Sequence, residues 1–103
     1  SAARHGTEFV YIMREAGGLH KVGSSVCAIQ RRAVLQYQIP KEHRPLRLVR
    51  AVEVGLGTAR QIEARTHKLL APFKAHWLWG PEWFAASMRR CNAALDAALA
   101  RPK

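Results

Sequence analysis

The pattern of apolar and polar positions predicts a small antiparallel sheet. Residues Glu8 to Arg14 have strand character with apolar side chains on both faces, which is typical of a central strand. Gly17-Gly18 marks a turn, after which Leu19 to Ser24 returns as a second strand. A third strand, Leu46 to Val54, is dense in β-branched and aliphatic residues. We therefore expect three strands, the first two forming a hairpin.

Three further segments have the spacing of amphipathic helices. The first runs from about Val26 to Gln38, with Ser24-Ser25 as its expected cap, and the last begins near Phe84. Between them, a helix from Ala59 to Leu70 has Thr58 as its expected N-cap. Its predicted buried stripe consists of Ile62, Thr66, Leu69, Leu70 and Phe73. The order β-β-α-β-α-α predicts an α+β fold with a small three-stranded antiparallel sheet flanked by helices.

The length of 103 residues favours one domain with a single core. We expect that domain to cover residues 1–103, with a core at about 8–100 and frayed ends. The chain opens Ser1-Ala2-Ala3 without Met, which is consistent with a piece of a longer protein. Further domains of such a parent chain, or a cognate inhibitor, are therefore candidate partners.

The charge balance indicates a polyanionic partner. Seventeen Lys and Arg residues face seven acidic ones, giving a net charge of +10 and a pI of about 10.9. Nucleic acid is the simplest partner of this kind. Candidate phosphate contacts are Arg32, Lys68, Arg89 and Arg90. The alternatives are a basic but solvated surface, or an RNA-packing protein of ribosomal type.

The cysteines and the hydropathy pattern exclude several classes of protein. Cys27 and Cys91 are the only cysteines, and they form no C-x-x-C pair, which argues against a zinc knuckle and gives little support to a disulfide scaffold. We expect both to be small buried thiols on apolar helix faces. No apolar run approaches the roughly 18 residues that a membrane span needs. The expected location is the cytoplasm, or a target cell if the domain is a delivered toxin.

Glu63 is the most informative single residue. It lies with His67 at the border of the predicted stripe, whereas Arg65 and Lys68 are expected to point into solvent. In so basic a chain, this carboxylate is either a salt-bridge partner of Arg60 or His67, or an anchor for a divalent cation.

Four short elements occur in a fixed order along the chain. They are Phe9-Val10-Tyr11, His20-Lys21-Val22-Gly23, Arg31 eight residues beyond that glycine, and Glu63 on the following helix. Together they resemble the GIY-YIG nuclease superfamily, with Lys21 in the place of the second motif's Tyr. The resemblance covers roughly residues 9–84. It is closest to the phage-type branch that is often described as a DNA-binding domain, and Glu82-Trp83-Phe84 is similar to a run found in that branch.

The resemblance implies a metal-dependent endonuclease or nicking enzyme acting on DNA, with Mg²⁺ or Mn²⁺ as cofactor. Glu63 would hold the ion, and Arg31 would clamp the scissile phosphate through its planar guanidinium. Tyr11 would orient or deprotonate the attacking water, with its pKa lowered by the adjacent cation of Lys21. Members of the superfamily tolerate Lys in the second Tyr position.

One departure from the superfamily concerns catalysis. The residue four beyond the catalytic Arg is usually His or Tyr, and here it is Leu35. The function of that His or Tyr is supplied here by His67, His20 or Tyr37, or it is absent. Two alternatives therefore stay open beside the nuclease: a catalytically silent DNA-binding module of the same fold, and a basic RNA-binding accessory protein. We expect the three tryptophans to belong to the core rather than to a base-stacking platform.

Overall fold

The computed structural model describes residues 7–75, 80 and 82–100. Within these residues the chain forms one antiparallel sheet and three α-helices, in agreement with the predicted α+β class. The strands are β1 (Thr7–Arg14), β2 (His20–Ser25), β3 (Arg47–Gly55) and β4 (Trp83–Phe84), in the spatial order β3-β1-β2-β4. The helices are α1 (Ala28–Gln38), α2 (Ala59–Leu70) and α3 (Met88–Ala100), and short 3₁₀ helices occupy Lys41–His43 and Ala71–Phe73.

Strand β1 lies inside the sheet and is buried on both faces, as the sequence predicts. Val10 and Ile12 pack into a cluster that contains α2 and α3 residues, among them Ile62 and Leu95. The alternate residue Tyr11 packs on the opposite face, in a second cluster with α1. Because successive strand side chains point to opposite faces, β1 connects both halves of the core.

The prediction of three strands is wrong, because the described residues form four. Trp83 pairs with Lys21 and Phe84 with His20 across the outer edge of β2. A two-residue strand carries no periodic pattern, and the pairing here depends on contacts between distant parts of the chain. The Ala75 amide donates to the Trp83 carbonyl at 2.8 Å. Trp83 is buried, as the core prediction for the tryptophans requires, whereas Trp77 and Trp79 lie outside the described residues.

The helix termini differ from the predicted ones in detail. Helix α1 begins at Ala28 rather than Val26, with Cys27 as N-cap and without a side-chain cap. The Ser25 hydroxyl bonds the amide of Cys27 instead. Thr58 is the N-cap of α2 as predicted, but its hydroxyl donates to the Gly55 carbonyl and so does not cap the helix. Both hydroxyls stabilise the turn before a helix rather than its first turn.

Two predictions for α2 and one for the last helix are wrong. Leu69 is 52% exposed, because it borders a surface groove where α3 presents alanines that are too short to cover it. Arg65 is half-buried and donates to the carbonyl of Ala98, in the last turn of α3, at 3.0 Å. An arginine is well suited to bind the last carbonyls of a helix. The last helix begins at Met88 rather than near Phe84, which is part of β4.

Only one of the two cysteines is a fully buried thiol. Cys91 lies in the core beside α2, and burial raises its pKa to about 11. Cys27 is half-buried at the start of α1, so the expectation of a helix-face core position is wrong for it. No helix in the described part of the chain is long and apolar enough to cross a membrane.

Candidate active site

A cavity of about 440 Å³ brings together four of the five predicted catalytic residues. Tyr11 comes from β1, Arg31 from α1, and Glu63 and His67 from α2, so residues far apart in sequence converge. The sequence analysis did not assign the other lining residues to the site: Ser24, Arg60, Ala64 and Glu82. Two arginines, two carboxylates and a histidine give the cavity a mixed, strongly polar wall.

Gly23 explains how Tyr11 reaches the cavity. The two residues are direct partners across β1 and β2, and a Cβ at position 23 would lie 2.7 Å from the Tyr11 Cζ atom. The phenol therefore occupies the space that a side chain on β2 would otherwise fill. This gives a physical reason for glycine at the end of Lys21-Val22-Gly23, since any larger residue would displace the ring.

The predicted activation of Tyr11 by Lys21 is wrong. The pKa of Tyr11 is raised, chiefly because burial disfavours the phenolate. The Arg31 guanidinium opposes this rise in the pKa, and the negative charges of Glu82 and Glu63 add to it. Lys21 makes no contribution among these causes. At neutral pH Tyr11 is thus a neutral phenol that can donate and accept hydrogen bonds but does not act as a ready-made base.

Lys21 does not line the cavity. It is 5% exposed, and its Nζ atom lies 2.5 Å from Oε1 of Glu82 and 5.7 Å from the centre of the Trp83 ring. Burial of an ammonium group is tolerated because the carboxylate and the aromatic face compensate for lost hydration. Lys21 consequently acts on the site through Glu82, whose side chain does line the cavity.

Glu63 is held in place by two neighbours. Its Oε1 atom accepts a hydrogen bond from the Ser24 hydroxyl at 2.7 Å, and its Oε2 atom lies 3.7 Å from Nε2 of His67. The carboxylate is largely shielded, with 16% of the side chain exposed. This arrangement corresponds to the His67 partnership that the sequence offered as an alternative, rather than to a pair with Arg60.

His67 has a defined orientation. Its Nε2 atom lies 2.7 Å from the carbonyl oxygen of Val22, which can only accept, so Nε2 carries the proton in this contact. The ring also packs against Phe84, with 5.2 Å between ring centres. In the neutral tautomer selected by this contact, Nδ1 is the unprotonated nitrogen.

One face of α2 forms a wall of the cavity. Arg60, Glu63, Ala64 and His67 follow the spacing i, i+3, i+4 and i+7, which places them on a single helix face. The sequence analysis identified the last two charged or polar members of this face but did not extend the pattern one turn back to Arg60.

Comparison with known proteins identifies a family. The sequence matches the T5orf172 domain over residues 8–99, which include almost all of β1 and α3 and every element between them. The chain belongs to the T5orf172 domain family. This is a phage-associated family related to nuclease-type folds and linked to DNA interaction. No match was found among curated proteins or among solved structures.

The sequence analysis named three residues that could replace the superfamily's usual His or Tyr at position 35, and they lie in different places in this T5orf172 domain. His20 is buried, and its Nδ1 atom lies 2.8 Å from the Ala86 carbonyl, outside the cavity. Tyr37 is exposed, with the Arg44 guanidinium above its ring. His67 alone of the three lines the cavity. Leu35 itself is buried in the same cluster as Tyr11.

The predicted nucleic-acid contacts of the T5orf172 domain lie away from the cavity lining. Lys68 and Arg89 are exposed, and the Arg90 guanidinium lies 4.7 Å from the centre of the Phe73 ring. Arg32 is half-buried and donates to the carbonyl of Leu46 at 3.1 Å, so it ties α1 to the segment before β3. The role of these four residues in binding phosphate stays a prediction.

Proposed function

We propose that this T5orf172 domain is a divalent-metal-dependent endonuclease of GIY-YIG type that cuts or nicks DNA. The observation that supports it most is the convergence of Tyr11, Arg31, Glu63 and His67 on one cavity. Tyr11, Arg31 and Glu63 were selected from motif order along the chain, and the four residues come from three separate elements. A polar cavity with a shielded carboxylate and a guanidinium is suited to phosphodiester hydrolysis in a basic, nucleic-acid-binding protein.

Glu63 fits the role of metal ligand. It offers hard carboxylate oxygens at the wall of an open polar cavity, and Mg²⁺ is commonly bound through one or two carboxylates while keeping several waters. The Ser24 hydroxyl fixes the orientation of Oε1, as expected for a group that supports a ligand. Bound Mg²⁺ or Mn²⁺ would supply charge stabilisation on the phosphate and the leaving oxygen.

The remaining residues bind and orient. Arg31 presents a planar guanidinium at the cavity and would bind the scissile phosphate. Tyr11, as a neutral phenol beside Arg31, would orient the attacking water rather than deprotonate it. His67 would receive the proton at Nδ1, because its Nε2–H is engaged with the Val22 carbonyl and Nδ1 is the unprotonated nitrogen.

A catalytically silent DNA-binding module is the second candidate. Two observations favour it: Leu35 replaces a polar residue of the superfamily, and Lys21 is withdrawn from the cavity by Glu82. Such a module would bind DNA through its net charge of +10 without cutting it.

Incubation of the purified chain with supercoiled plasmid, with Mg²⁺ or Mn²⁺ and with chelator, tests the proposal. Glu63→Gln retains an acceptor for Ser24 but removes the charge, so we expect cleavage to fall at least about 100-fold with unchanged folding. Glu42→Gln removes a carboxylate from an exposed site outside the cavity and is the matched control. Undiminished cutting by Glu63→Gln would refute the assignment of Glu63. Metal-independent binding without cutting by the parent chain would favour the silent module, and competition with structured RNA would reveal an RNA-binding protein.

A further inference from the structure

We propose that Arg60 forms a second anion subsite, which binds a phosphate adjacent to the scissile one. The substrate would then be a polynucleotide strand that crosses the cavity, rather than an isolated phosphodiester. This inference rests on the proposed function, in which Arg31 binds the scissile phosphate.

Arg60 is placed for this role by the helix that carries Glu63. It lies one turn before Glu63 on α2 and lines the same cavity as Arg31, which comes from α1 on the other face of the sheet. Ala64 follows Arg60 by four residues, so a short side chain separates the guanidinium from His67 along this wall. The cavity therefore has guanidinium groups from two independent elements.

The carboxylates of the cavity already have partners. Glu63 accepts from Ser24 at 2.7 Å, and Glu82 pairs with Lys21 at 2.5 Å. Arg31 lines the cavity together with Tyr11 and opposes the rise in the pKa of its phenol. Arg60 makes no ion pair or side-chain hydrogen bond with any residue in the part of the chain that the structure describes. Its donors remain available for a ligand.

Several other arginines of the described chain have a structural partner. Arg50 pairs with Asp96 at 2.6 Å, Arg65 donates to the Ala98 carbonyl, and Arg32 donates to the Leu46 carbonyl. These contacts connect elements of the fold. Arg60 differs from them because it is exposed at the cavity and has no partner among the described residues, and a planar guanidinium is suited to binding a phosphate group.

The volume of the cavity is that of an ordinary ligand site. A volume of about 440 Å³ lies within the range of about 300–1,000 Å³ that is typical of ligand sites. Along one DNA strand the phosphates follow each other at about 3.4 Å of axial rise. A strand that presents one phosphate to Arg31 therefore brings its neighbour close to the same cavity.

Steady-state cleavage of a synthetic duplex with a mapped cutting site tests this assignment. For Arg60→Ala we expect KM to rise about tenfold while kcat stays within about twofold, because contact with a non-reacting phosphate contributes equally to substrate and transition state. Arg60→Lys should recover part of the loss. Lys41→Ala removes one positive charge from an exposed 3₁₀ helix outside the cavity, and should change KM by less than about threefold.

The partner phosphate is identified by replacing single phosphates of the duplex with neutral methylphosphonates. At one position next to the scissile bond, the replacement should cost the parent protein about tenfold in kcat/KM and cost Arg60→Ala nothing further. Two results would overturn the subsite. In the first, the loss in kcat/KM from Arg60→Ala and the loss from the methylphosphonate multiply at both flanking positions. In the second, Arg60→Ala and Lys41→Ala have equal effects on KM. If the parent chain does not cut, the nuclease proposal fails. Dissociation constants of the same duplexes by fluorescence anisotropy then decide the role of Arg60 independently.

Discussion

Replacing Gly23 with alanine tests whether the position of Tyr11 depends on the absence of a side chain on β2. A Cβ at residue 23 would lie 2.7 Å from Cζ and 3.1 Å from Cε1 of the Tyr11 ring, and closer still to its oxygen. Ordinary contacts of a Cβ are at 3.4 Å or more, so the ring must move by at least half an ångström or the strands must separate. Tyr11 is 1% exposed, which leaves it little room.

The expected cost follows from overpacking a well-filled core. Such insertions typically cost about 1–3 kcal/mol, which corresponds to a roughly 5- to 150-fold increase in the unfolding equilibrium constant. In a domain of this size the same energy lowers Tm by about 4 °C or more. The phenol would also leave its place beside Arg31, so we expect plasmid cleavage to fall at least about tenfold.

Urea denaturation followed by far-ultraviolet circular dichroism, together with plasmid nicking rates, measures both effects. Gly55→Ala is the matched control, because a Cβ there would meet only Thr58 Oγ1 at an ordinary 3.8 Å. The double variant Tyr11→Phe/Gly23→Ala should be less destabilised than Gly23→Ala alone, since the oxygen is the atom nearest to the added carbon. If Gly23→Ala were as stable and as active as Gly55→Ala, the ring would not occupy the position that we assign to it.

Three further predictions concern individual side chains. Tyr11→Phe should bind DNA with an unchanged salt dependence but nick plasmid at least about tenfold more slowly, whereas an unchanged rate would make Tyr11 a purely structural residue. Arg31→Ala should lower the nicking rate far more than Lys41→Ala, although both remove one positive charge, and equal losses would contradict a phosphate clamp at Arg31. Burial lowers the pKa of His20, so the unfolded chain binds a proton that the folded chain does not as pH falls below about 6.5. The free energy of unfolding should therefore decrease by at most about 1.4 kcal/mol between neutral pH and pH 5.5 because of this histidine. His20→Asn should abolish that decrease in urea denaturation, since asparagine does not titrate but still offers a donor to the Ala86 carbonyl.

The parts of the fold that the sequence predicts well are those with local periodicity. Strand β1 and the buried and polar faces of α2 are long enough for alternation or helical spacing to determine which side chains are buried. This is why Tyr11, Glu63 and His67 could be placed correctly. Arg60 carried the same signal, because it precedes Glu63 by three residues on the same face.

Other features depend on contacts that no local pattern encodes. Glu82 is 61 residues from Lys21, and it lies beside a strand of only two residues. Without that pairing, Lys21 is expected to be an active cation next to Tyr11 rather than a buried ammonium. Ser24 has the same character, since its hydroxyl bonds Glu63 on α2 instead of capping α1. In both cases a polar side chain for which a local role was predicted instead bonds a residue that is distant in sequence.

Leu35 and the raised pKa of Tyr11 have a common physical origin. Leu35 stands where members of the GIY-YIG superfamily usually have His or Tyr, and here it is buried with Tyr11 in one apolar cluster. The apolar residues of this cluster bury the phenol, and burial is the main reason that its pKa is raised. The raised pKa makes Tyr11 a poor base, while the close approach of its ring to Gly23 restricts its position. Under the nuclease function proposed above, the proton acceptor would then be another group at the cavity, and His67 is the histidine that lines it. In that proposal, the departure at Leu35 and the role of His67 are connected through the raised pKa of Tyr11.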